Sequence, residues 1–342
     1  MKAMVLPRVM NLEEDKNPLE FCDIPIPIPK GKDILLKVLV CGVCHTELDE
    51  IEGRTPPTNF PIILGHQVVG RVEKAGDRAS RFMPGDRVGV AWIYSACGKC
   101  TYCRQGNENL CPDFRATGRD AHGGYAEYMV VPEDFAYAIP ERFSDAEAAP
   151  LLCAGAIGFR SLKLCRMKDG DHIGLAGFGA SAHLVMKMIK HLHPHSRISV
   201  FSRTAQERAF AQELGAHWTG DFGDPSPEKL RCIIDTTPAW SPVVESLRNL
   251  EQGGRLVINA IRKEEKDKDA LLSLDYGRDL WMEKEIKSVA NITRKDVGEF
   301  LQLASVIAIW PEVQEYRLED ANQALRELRE RKIRGAKVLK IA

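Results

Sequence analysis

The sequence shows almost no excess of charge of either sign. Its 342 residues include 47 Lys and Arg against 48 Asp and Glu, which gives a formal net charge of -1. A protein with a dedicated nucleic-acid surface normally carries a strong basic excess. The balance therefore argues against nucleic-acid binding, and we expect no nucleic-acid partner.

Long apolar runs are also missing. No apolar run reaches the roughly 20 residues that a membrane-spanning helix needs. The apolar stretch at residues 1–7 is too short for a secretory signal, because acidic residues follow at positions 13–15. We therefore expect no membrane partner and a cytoplasmic location.

Cysteine, in contrast, is abundant, with ten in the chain. Four of them form the pattern C-x2-C-x2-C-x7-C: Cys97, Cys100, Cys103 and Cys111. Four thiolates saturate a tetrahedral zinc ion and leave no open position, which is typical of a structural site. In a reducing compartment this spacing favours metal over disulfides. The alternatives are unrelated surface thiols, an iron–sulfur cluster, and a zinc ribbon for nucleic acid, which the charge balance disfavours.

The predicted pattern of secondary structure changes near residue 150. Before it, short β-rich runs such as 34–40 and 67–74 are separated by Gly and Pro turns. After it, predicted strands alternate with predicted helices, namely strands at 171–176, 197–202, 232–235 and 255–259 and helices at 180–191 and 205–214. This alternation predicts a parallel sheet with crossover helices. Beyond about 290 we predict a helix start at Thr293 with Asp296, a charged surface helix over 318–331 and a strand over 336–341.

A glycine-rich turn lies between the first of these strands and its helix. It consists of Gly177, Phe178, Gly179, Ala180, Ser181 and Ala182. This fits G-x-G-x-x-A, in which the first Gly allows the turn and the second lets backbone approach a pyrophosphate. The pyrophosphate then meets the helix N-terminus. The strand–turn–helix context therefore indicates a dinucleotide site.

Three further candidates for metal ligation are scattered along the chain. They are Cys44 in Cys-Gly-Val-Cys-His-Thr-Glu, His66 in Gly-His-Gln-Val-Val-Gly, and Cys153 in Pro-Leu-Leu-Cys-Ala-Gly. A lone buried Cys is usually a small hydrophobe, so none of the three is decisive by itself.

Taken together, these segments resemble the zinc-dependent alcohol dehydrogenases of the medium-chain dehydrogenase/reductase superfamily. The three contexts, the four-cysteine lobe, the glycine-rich turn, and the stretches at 85–88 and 123–128 occur in the same order over nearly the whole chain. The resemblance implies an α/β fold with a β-rich GroES-like catalytic domain and a Rossmann domain with a doubly wound parallel sheet. The expected bounds are 1–153 for the first, with the zinc lobe at about 94–114, and 154–290 for the second. Residues 291–342 are expected to return to the first domain.

The same resemblance implies the site chemistry. Cys44, His66 and Cys153 are the catalytic zinc ligands, and a fourth position stays open for water or a substrate oxygen. With the lobe this makes two zinc ions per chain. Zinc acts as a Lewis acid on the alcohol, Thr46 accepts the alcohol proton, and hydride passes to the nicotinamide. Glu47 matches an acid that accepts a hydrogen bond from the His66 ring, the alternative being an exposed surface Glu.

Two positions depart from the family pattern. Asp49 stands where a His commonly ends the proton relay, and Gln67 stands where a Glu commonly lies behind the zinc. We expect tuned, not abolished, catalysis.

The strand after the glycine-rich turn bears on cofactor choice. It ends in Phe-Ser202-Arg203-Thr without the acid that binds the ribose diol of NAD. Ser202 and Arg203 could hold a 2′-phosphate, which favours NADP over NAD; the alternative is a solvated Arg203 and a site that accepts either. By the resemblance, His45 touches the pyrophosphate. The family's C-terminal phosphate-binding Arg is replaced by Ala336, and Arg334 and Lys337 are candidate substitutes.

The expected function is an alcohol dehydrogenase or aldehyde reductase that acts on a small-molecule alcohol or aldehyde. Two alternatives stay open: a non-catalytic NAD(P)- and zinc-binding regulatory protein of the same fold, and a related polyol or acyl-thioester alcohol dehydrogenase. Trp92 either narrows the pocket toward small or flat aromatic alcohols or packs in the core. The family also implies a homodimer or homotetramer.

Overall fold

The computed structural model describes residues 1–307, 309–330 and 335–342 of an α/β chain. The chain divides into two compact units. The first comprises Met1–Cys153, Ile292–Val306 and Trp310–Ala342, and the second comprises Ala154–Asn291 and Ile307–Ile309. Arg334, a candidate phosphate ligand in the sequence, lies outside the described residues.

The strands and helices have the following bounds. The strands are β1 (Lys2–Leu6), β2 (Glu20–Asp23), β3 (Asp33–Val43), β4 (Ile62–Ile63), β5 (Val68–Ala75), β6 (Arg87–Val90), β7 (Ile93–Ser95), β8 (Arg115–Ala116), β9 (Tyr128–Pro132), β10 (Ala136–Ala138), β11 (His172–Ala176), β12 (Arg197–Phe201), β13 (Trp218–Gly220), β14 (Leu230–Asp235), β15 (Leu250–Ile258), β16 (Glu285–Ser288), β17 (Val313–Arg317) and β18 (Ala336–Lys340). The α-helices are α1 (His45–Ile51), α2 (Thr101–Arg104), α3 (Asp145–Pro150), α4 (Ala156–Cys165), α5 (Ala180–Leu192), α6 (Ala205–Glu213), α7 (Ser241–Asn249), α8 (Arg294–Val306) and α9 (Ala321–Arg329).

The long strand β3 organises the sheet of the first unit. The strand order is β10-β6-β5-β3-β18-β17, and β9 also pairs with β3. One edge of β3 is paired with β5; along the other edge β9 covers the first half and β18 the second. Both edges of β3 are paired and most of its side chains are buried. Its sequence from residue 34 to 43 is accordingly apolar except for the exposed Lys37, namely ILLKVLVCGV. Strand β3 ends at Val43, so the position of Cys44 is fixed by a strand that is hydrogen-bonded on both edges.

The C-terminal segment adds two helices to the first unit. The predicted capping pair before α8 is confirmed: Thr293 Oγ1 donates to Asp296 Oδ2 at 2.7 Å, and Thr293 Oγ1 accepts from Asp296 N at 3.1 Å. The prediction of a surface helix over 318–331 is wrong in part. Helix α9 is shorter and buries Ala324, Leu325 and Leu328, because its apolar residues recur at helical spacing and pack against the unit.

The second unit contains a six-stranded parallel sheet in the order β13-β12-β11-β14-β15-β16. This is the doubly wound order 3-2-1-4-5-6, as the resemblance implies. Its core includes Ala176, Phe201, Ile233 and Leu256, all almost fully buried. The order reverses between β11 and β14, so the loops at the carboxyl ends of these two strands flank the position where such sheets bind their ligands.

One continuous helical stretch is longer than the sequence pattern indicates. Helix α3, the π-helical turn Leu151–Gly155 and helix α4 join into Asp145–Cys165, 21 residues that are long and apolar enough to cross a membrane by length and composition alone. Of its apolar window, 61% is buried inside the protein, which is the pattern of a core helix. The stretch therefore carries no argument for a membrane.

Candidate metal centres and cofactor site

Three distant segments of the first unit bring Cys44, His66 and Cys153 together. Cys44 follows β3, His66 lies between β4 and β5, and Cys153 lies in the π-helical turn. Their ligand atoms all lie within 4.8 Å of one another. The two Sγ atoms are 3.9 Å apart, and His66 Nε2 is 3.3 Å from Cys153 Sγ. Two thiols and an imidazole at this spacing fit a zinc ion and leave its fourth position to another ligand.

Glu47 links two of these three residues. Its Oε1 lies 2.6 Å from His66 Nδ1, and its Oε2 accepts from the Cys44 backbone N–H at 2.7 Å. Both side chains of the His66–Glu47 pair are fully buried. Burial opposes the charged form of His66, but Glu47 and Cys44 outweigh it and raise the His66 pKa well above its usual value. Since Nδ1 donates to Glu47, Nε2 is the ring atom directed at the thiols.

The loop that carries His66 depends on a glycine. Gly65 has φ +96°, and a Cβ on it would lie 2.4 Å from Cδ1 of Tyr125. Only glycine adopts this conformation at no cost and leaves room for the ring. The residue before His66 is therefore required to be glycine, because a side chain there would clash with the Tyr125 ring.

The remaining predicted residues of this centre lie nearby with different partners. Thr46 Oγ1 lies 3.6 Å from Cys44 Sγ. Asp49 is buried and accepts from Arg54 Nε at 2.6 Å, so a cation neutralises it. Gln67 is buried against the backbone of Gly42, where a Cβ would lie 2.5 Å from its Oε1. His45 is exposed at the first position of α1.

The four-cysteine lobe forms a second cluster in the first unit. The sulfur atoms of Cys97, Cys100, Cys103 and Cys111 all lie within 4.8 Å of one another. Backbone N–H groups point at the sulfurs: those of Cys100 and Cys97 donate to Cys97 and Cys111, both at 3.4 Å. Backbone donors at positions 99 and 100 lower the pKa of Cys97 to about 6. Burial raises the pKa of Cys103 to about 12 and also raises that of Cys111; the fit to a closed zinc site rests on the number and spacing of the four sulfur atoms.

In the second unit, the glycine-rich turn leaves open space before helix α5. Gly177 has φ +81°, and a Cβ on it would lie 2.8 Å from Thr236 Oγ1. Gly179 is the N-cap of α5, and a Cβ there would meet no atom of the described residues within 4 Å. Phe178 and Ala182 are buried, and Ser181 Oγ donates to the Ala154 carbonyl at 3.1 Å. The free approach to the helix N-terminus fits a pyrophosphate.

The ribose end of this site contains an acid that the sequence analysis missed. Ser202 is buried, and its hydroxyl donates to the Glu207 carboxylate in the first turn of α6. Arg203 is exposed, and Arg208 Nη1 donates to the Ser202 carbonyl. The capping pattern Thr204-x-x-Glu207 was the available signal, since Glu207 N donates to Thr204 Oγ1 at 3.2 Å.

Lys337 is not free to serve as a phosphate ligand. Its side chain is 1% exposed, and its Nζ donates to Glu327 Oε2 at 2.7 Å and to Gln314 Oε1 at 3.1 Å. It also donates to the Tyr316 hydroxyl. Strand β18 directs this side chain into the first unit, and the candidate role is therefore wrong for Lys337.

Trp92 is 8% exposed and packs in the interior of the first unit. The centroid of its ring lies 5.0 Å from that of Phe114, and the Arg119 guanidinium lies 5.2 Å from the Trp92 ring centroid. This packing buries the ring in the core, while the Trp92 Nε1–H is buried with no hydrogen-bond partner among the described residues.

Comparisons with known proteins agree with this geometry. Residues 30–141 match the alcohol dehydrogenase GroES-like domain family. The chain is 40% identical over 332 residues to a protein named probable alcohol dehydrogenase AdhA of Mycobacterium tuberculosis, covering 96% of this chain and 94% of the relative. The crystal structure of an NAD-dependent alcohol dehydrogenase has a TM-score of 0.88 at 23% identity and full coverage of both chains. A cobalt- and zinc-bound alcohol dehydrogenase from Pyrobaculum aerophilum has a TM-score of 0.84 at 24% identity, with 99% of both chains covered. This chain therefore belongs to the alcohol dehydrogenases of the medium-chain dehydrogenase/reductase superfamily and is an oxidoreductase.

Proposed function

We propose that this alcohol dehydrogenase holds two zinc ions per chain and transfers hydride between a small-molecule alcohol and NADP, in preference to NAD. The observation that carries the proposal is the convergence of Cys44, His66 and Cys153 on one point, with Glu47 behind the imidazole. Three protein ligands are the donor set of a catalytic zinc, and four cysteines are that of a structural zinc. The relative from Pyrobaculum aerophilum, which binds zinc and cobalt, supports the metal assignment.

A zinc ion held by these three residues supplies a Lewis acid for the oxygen of an alcohol or carbonyl. The chain's own groups supply orientation and proton transfer. The Thr46 hydroxyl both donates and accepts, and from its place beside Cys44 it accepts the alcohol proton at Oγ1 while its own hydroxyl proton passes to solvent water. Glu47 keeps the His66 ring in one tautomer throughout. Asp49 is paired with Arg54 and acts in this scheme as a neutralised group, not as a base.

The cofactor assignment rests on the ends of β11 and β12. The open helix N-terminus at Gly179 receives the pyrophosphate. At the ribose end, Arg203 and Arg208 supply two positive charges against the one negative charge of Glu207. This balance favours a 2′-phosphate, which carries charge, over a ribose hydroxyl. With NADPH, reduction of an aldehyde or ketone is the favoured direction.

We infer a homodimer from the edge of the sheet in the second unit. Strand β16 ends the strand order, and all four of its residues are exposed. Ile286 on this strand is 44% exposed, and Trp281 just before it is 56% exposed. An exposed edge strand offers unpaired backbone N–H and C=O groups to a further strand, and a second copy of the chain supplies one, with Ile286 and Trp281 as the apolar contacts. Multi-angle light scattering tests this, with a charged substitution, Ile286→Glu, expected to yield monomers; a wild-type monomer contradicts it, and a tetramer would extend it.

The function is tested with purified protein by metal analysis and by oxidation of NADPH and NADH over a panel of aliphatic and aromatic aldehydes. We expect two zinc ions per chain, turnover, and a higher kcat/KM with NADPH. Thr46→Val should lower kcat by at least about 100-fold at unchanged metal content, because general acid–base groups contribute about that much. Thr46→Ser keeps the hydroxyl and most of the activity, and Thr58→Val, at an exposed position, is the matched control.

One outcome overturns the enzyme assignment. Metal binding without turnover on any carbonyl compound, with either cofactor, would support a non-catalytic binding protein. The departures at Asp49 and Gln67 are the observations that favour that second candidate.

A further inference from the structure

Lys263 is a buried lysine in the second unit that the proposed reaction does not use. Its side chain is 7% exposed. Its Nζ donates to three acceptors: the Asp235 carboxylate, the Thr237 carbonyl at 2.8 Å and the Ala239 carbonyl at 2.9 Å. An ammonium group has three donors, so all of its capacity is used on Asp235, the last residue of β14, and on the loop of residues 236–240 that follows.

The loop held by Lys263 packs directly on the glycine-rich turn. Thr236 N and Oγ1 both donate to the Ala176 carbonyl, at 2.9 and 3.1 Å. A Cβ on Gly177 would lie 2.8 Å from Thr236 Oγ1 and 3.0 Å from Thr237 Cγ2. The loop after β14 therefore forms one wall of the turn that we assign to the pyrophosphate.

Other polar contacts fix the same loop from the same side. Asp235 Oδ1 accepts from Thr237 N at 2.9 Å and from Thr237 Oγ1 at 2.7 Å, which leaves Oδ2 to Lys263. Glu264 N donates to the Pro238 carbonyl at 2.7 Å, and Asp267 accepts from Trp240 N at 2.9 Å. The segment after β15 thus holds the loop after β14 at several points, and the Lys263 side chain makes three of these hydrogen bonds.

These contacts lie where the sheet places its ligand. Strands β11 and β14 are neighbours at the reversal of strand order, and ligands of such sheets bind beside the carboxyl ends of the strands there. A change in the conformation of the loop after β14 would therefore change the shape of the glycine-rich turn against which it packs. Two of the three acceptors of Lys263 are backbone carbonyls of the loop, so its ammonium group fixes the course of the backbone and not only the Asp235 side chain.

We propose that Lys263 is a positioning residue for the dinucleotide: by holding the Asp235 carboxylate and two carbonyls of the following loop, it keeps Thr236 and Thr237 against Gly177 in the conformation that binds the cofactor. Lys263 itself touches neither cofactor nor substrate in this assignment. The inference rests on the proposed function, because it needs a dinucleotide at the glycine-rich turn.

The inference predicts that substitution of Lys263 weakens cofactor binding but leaves the turnover rate at saturating cofactor nearly unchanged. If the loop adopts the cofactor-binding conformation in only a fraction of the molecules, the apparent Kd for the cofactor rises by the inverse of that fraction. Saturating cofactor shifts all molecules to the binding conformation and so restores turnover. We expect Lys263→Met to raise the Kd for NADPH about tenfold and to change kcat at saturation by less than about twofold. Lys263→Arg keeps the cation and should recover most of the affinity. Lys266→Met, at an exposed lysine of the same segment, is the control.

A double variant separates positioning from stability. Lys263→Met leaves Asp235 buried without its cation, which destabilises the fold. Asp235→Asn with Lys263→Met removes that charge, so thermal stability should recover while the Kd for NADPH, measured by cofactor fluorescence, stays raised. An unchanged Kd in Lys263→Met, or a Kd that recovers in the double variant, would overturn the inference. A wild-type protein that binds neither NADPH nor NADH would instead overturn the proposed function.

Discussion

The Glu47 carboxylate holds His66 at 2.6 Å through Nδ1 while its other oxygen accepts the backbone N–H of Cys44 at 2.7 Å. One buried side chain thereby joins the loop that carries the imidazole to the helix start that carries the thiol. The β3–β5 ladder brings the two segments together, since Cys44 directly follows β3 and His66 lies two residues before β5, and Glu47 then fixes the imidazole relative to the start of the helix.

Glu47→Gln should lower the affinity of the catalytic centre for zinc by about 10- to 100-fold, the usual effect of changing a residue that orients a metal ligand. The amide cannot accept at both of its ends, so it loses one of the two contacts. Competition with a chromophoric zinc chelator measures the affinity. Glu73→Gln, at an exposed position of β5, is the control, and an affinity equal to that of wild type would contradict the orienting role.

Cys103→Ser should remove one zinc ion and leave the other. Cys103 belongs to the four-cysteine cluster, which lies apart from Cys44 in the chain and shares no ligand with it. We expect one zinc per chain by mass spectrometry of the native protein and a lower melting temperature, because closed zinc sites contribute directly to folding. Cys22→Ser, outside both clusters, should retain both ions. Loss of both ions from Cys103→Ser would show that the two sites are not independent.

Arg203→Ala should lower kcat/KM for NADPH by about tenfold or more, since hydrogen bonds to charged groups contribute about 1.5–3 kcal/mol, and should affect NADH much less. Glu207→Gln should act in the opposite direction on NADPH, because it removes a negative charge next to Ser202. Initial rates with both cofactors give the ratio. Arg197→Ala, at the opposite end of β12, should leave it unchanged, and equal losses with both cofactors in Arg203→Ala would count against a 2′-phosphate site.

Lys337→Met should destabilise the first unit by about 1–2 kcal/mol, because the partly exposed Glu327 carboxylate loses a hydrogen bond from a buried cation. Hydrogen bonds from Lys337 and Tyr316 lower the pKa of Glu327 to about 2, against about 4.3 in an unfolded chain. A lowered folded pKa stabilises the protein above the unfolded value, and this contribution is lost as the pH falls from about 4.3 toward 2.

Urea unfolding at pH 7 and at pH 3 measures both effects. Glu327→Gln should lose stability at pH 7 but show a smaller further loss at pH 3 than wild type. Lys340→Met, an exposed lysine on the same strand, is the matched control for the lysine variant. A wild-type and a Glu327→Gln protein with the same pH dependence would show that this carboxylate does not contribute.

Local sequence patterns predicted those strands, helices and helix caps that depend on residues close together in the chain. The alternation of apolar strands and amphipathic helices after residue 150 predicted a parallel sheet, and the sheet is parallel with the doubly wound order. The pair Thr293 and Asp296 predicted a helix start because capping involves residues three apart. The misjudged helix near the C-terminus shows the limit of such patterns: its charges were visible in the sequence, but the surface against which Leu325 and Leu328 pack was not.

Residue type and spacing by themselves determined which side chains can bind metal and which turn can accept a pyrophosphate, because thiolate, imidazole and glycine have properties that do not depend on the rest of the fold. Only the tertiary structure decided how they are used. It brought His66 and Cys153 within 3.3 Å across 87 residues of chain, placed the Lys337 ammonium beside Glu327, and placed the Lys263 ammonium on the loop beside Gly177. Such contacts follow from the packing of whole strands and helices, and no pattern within one segment contains that information.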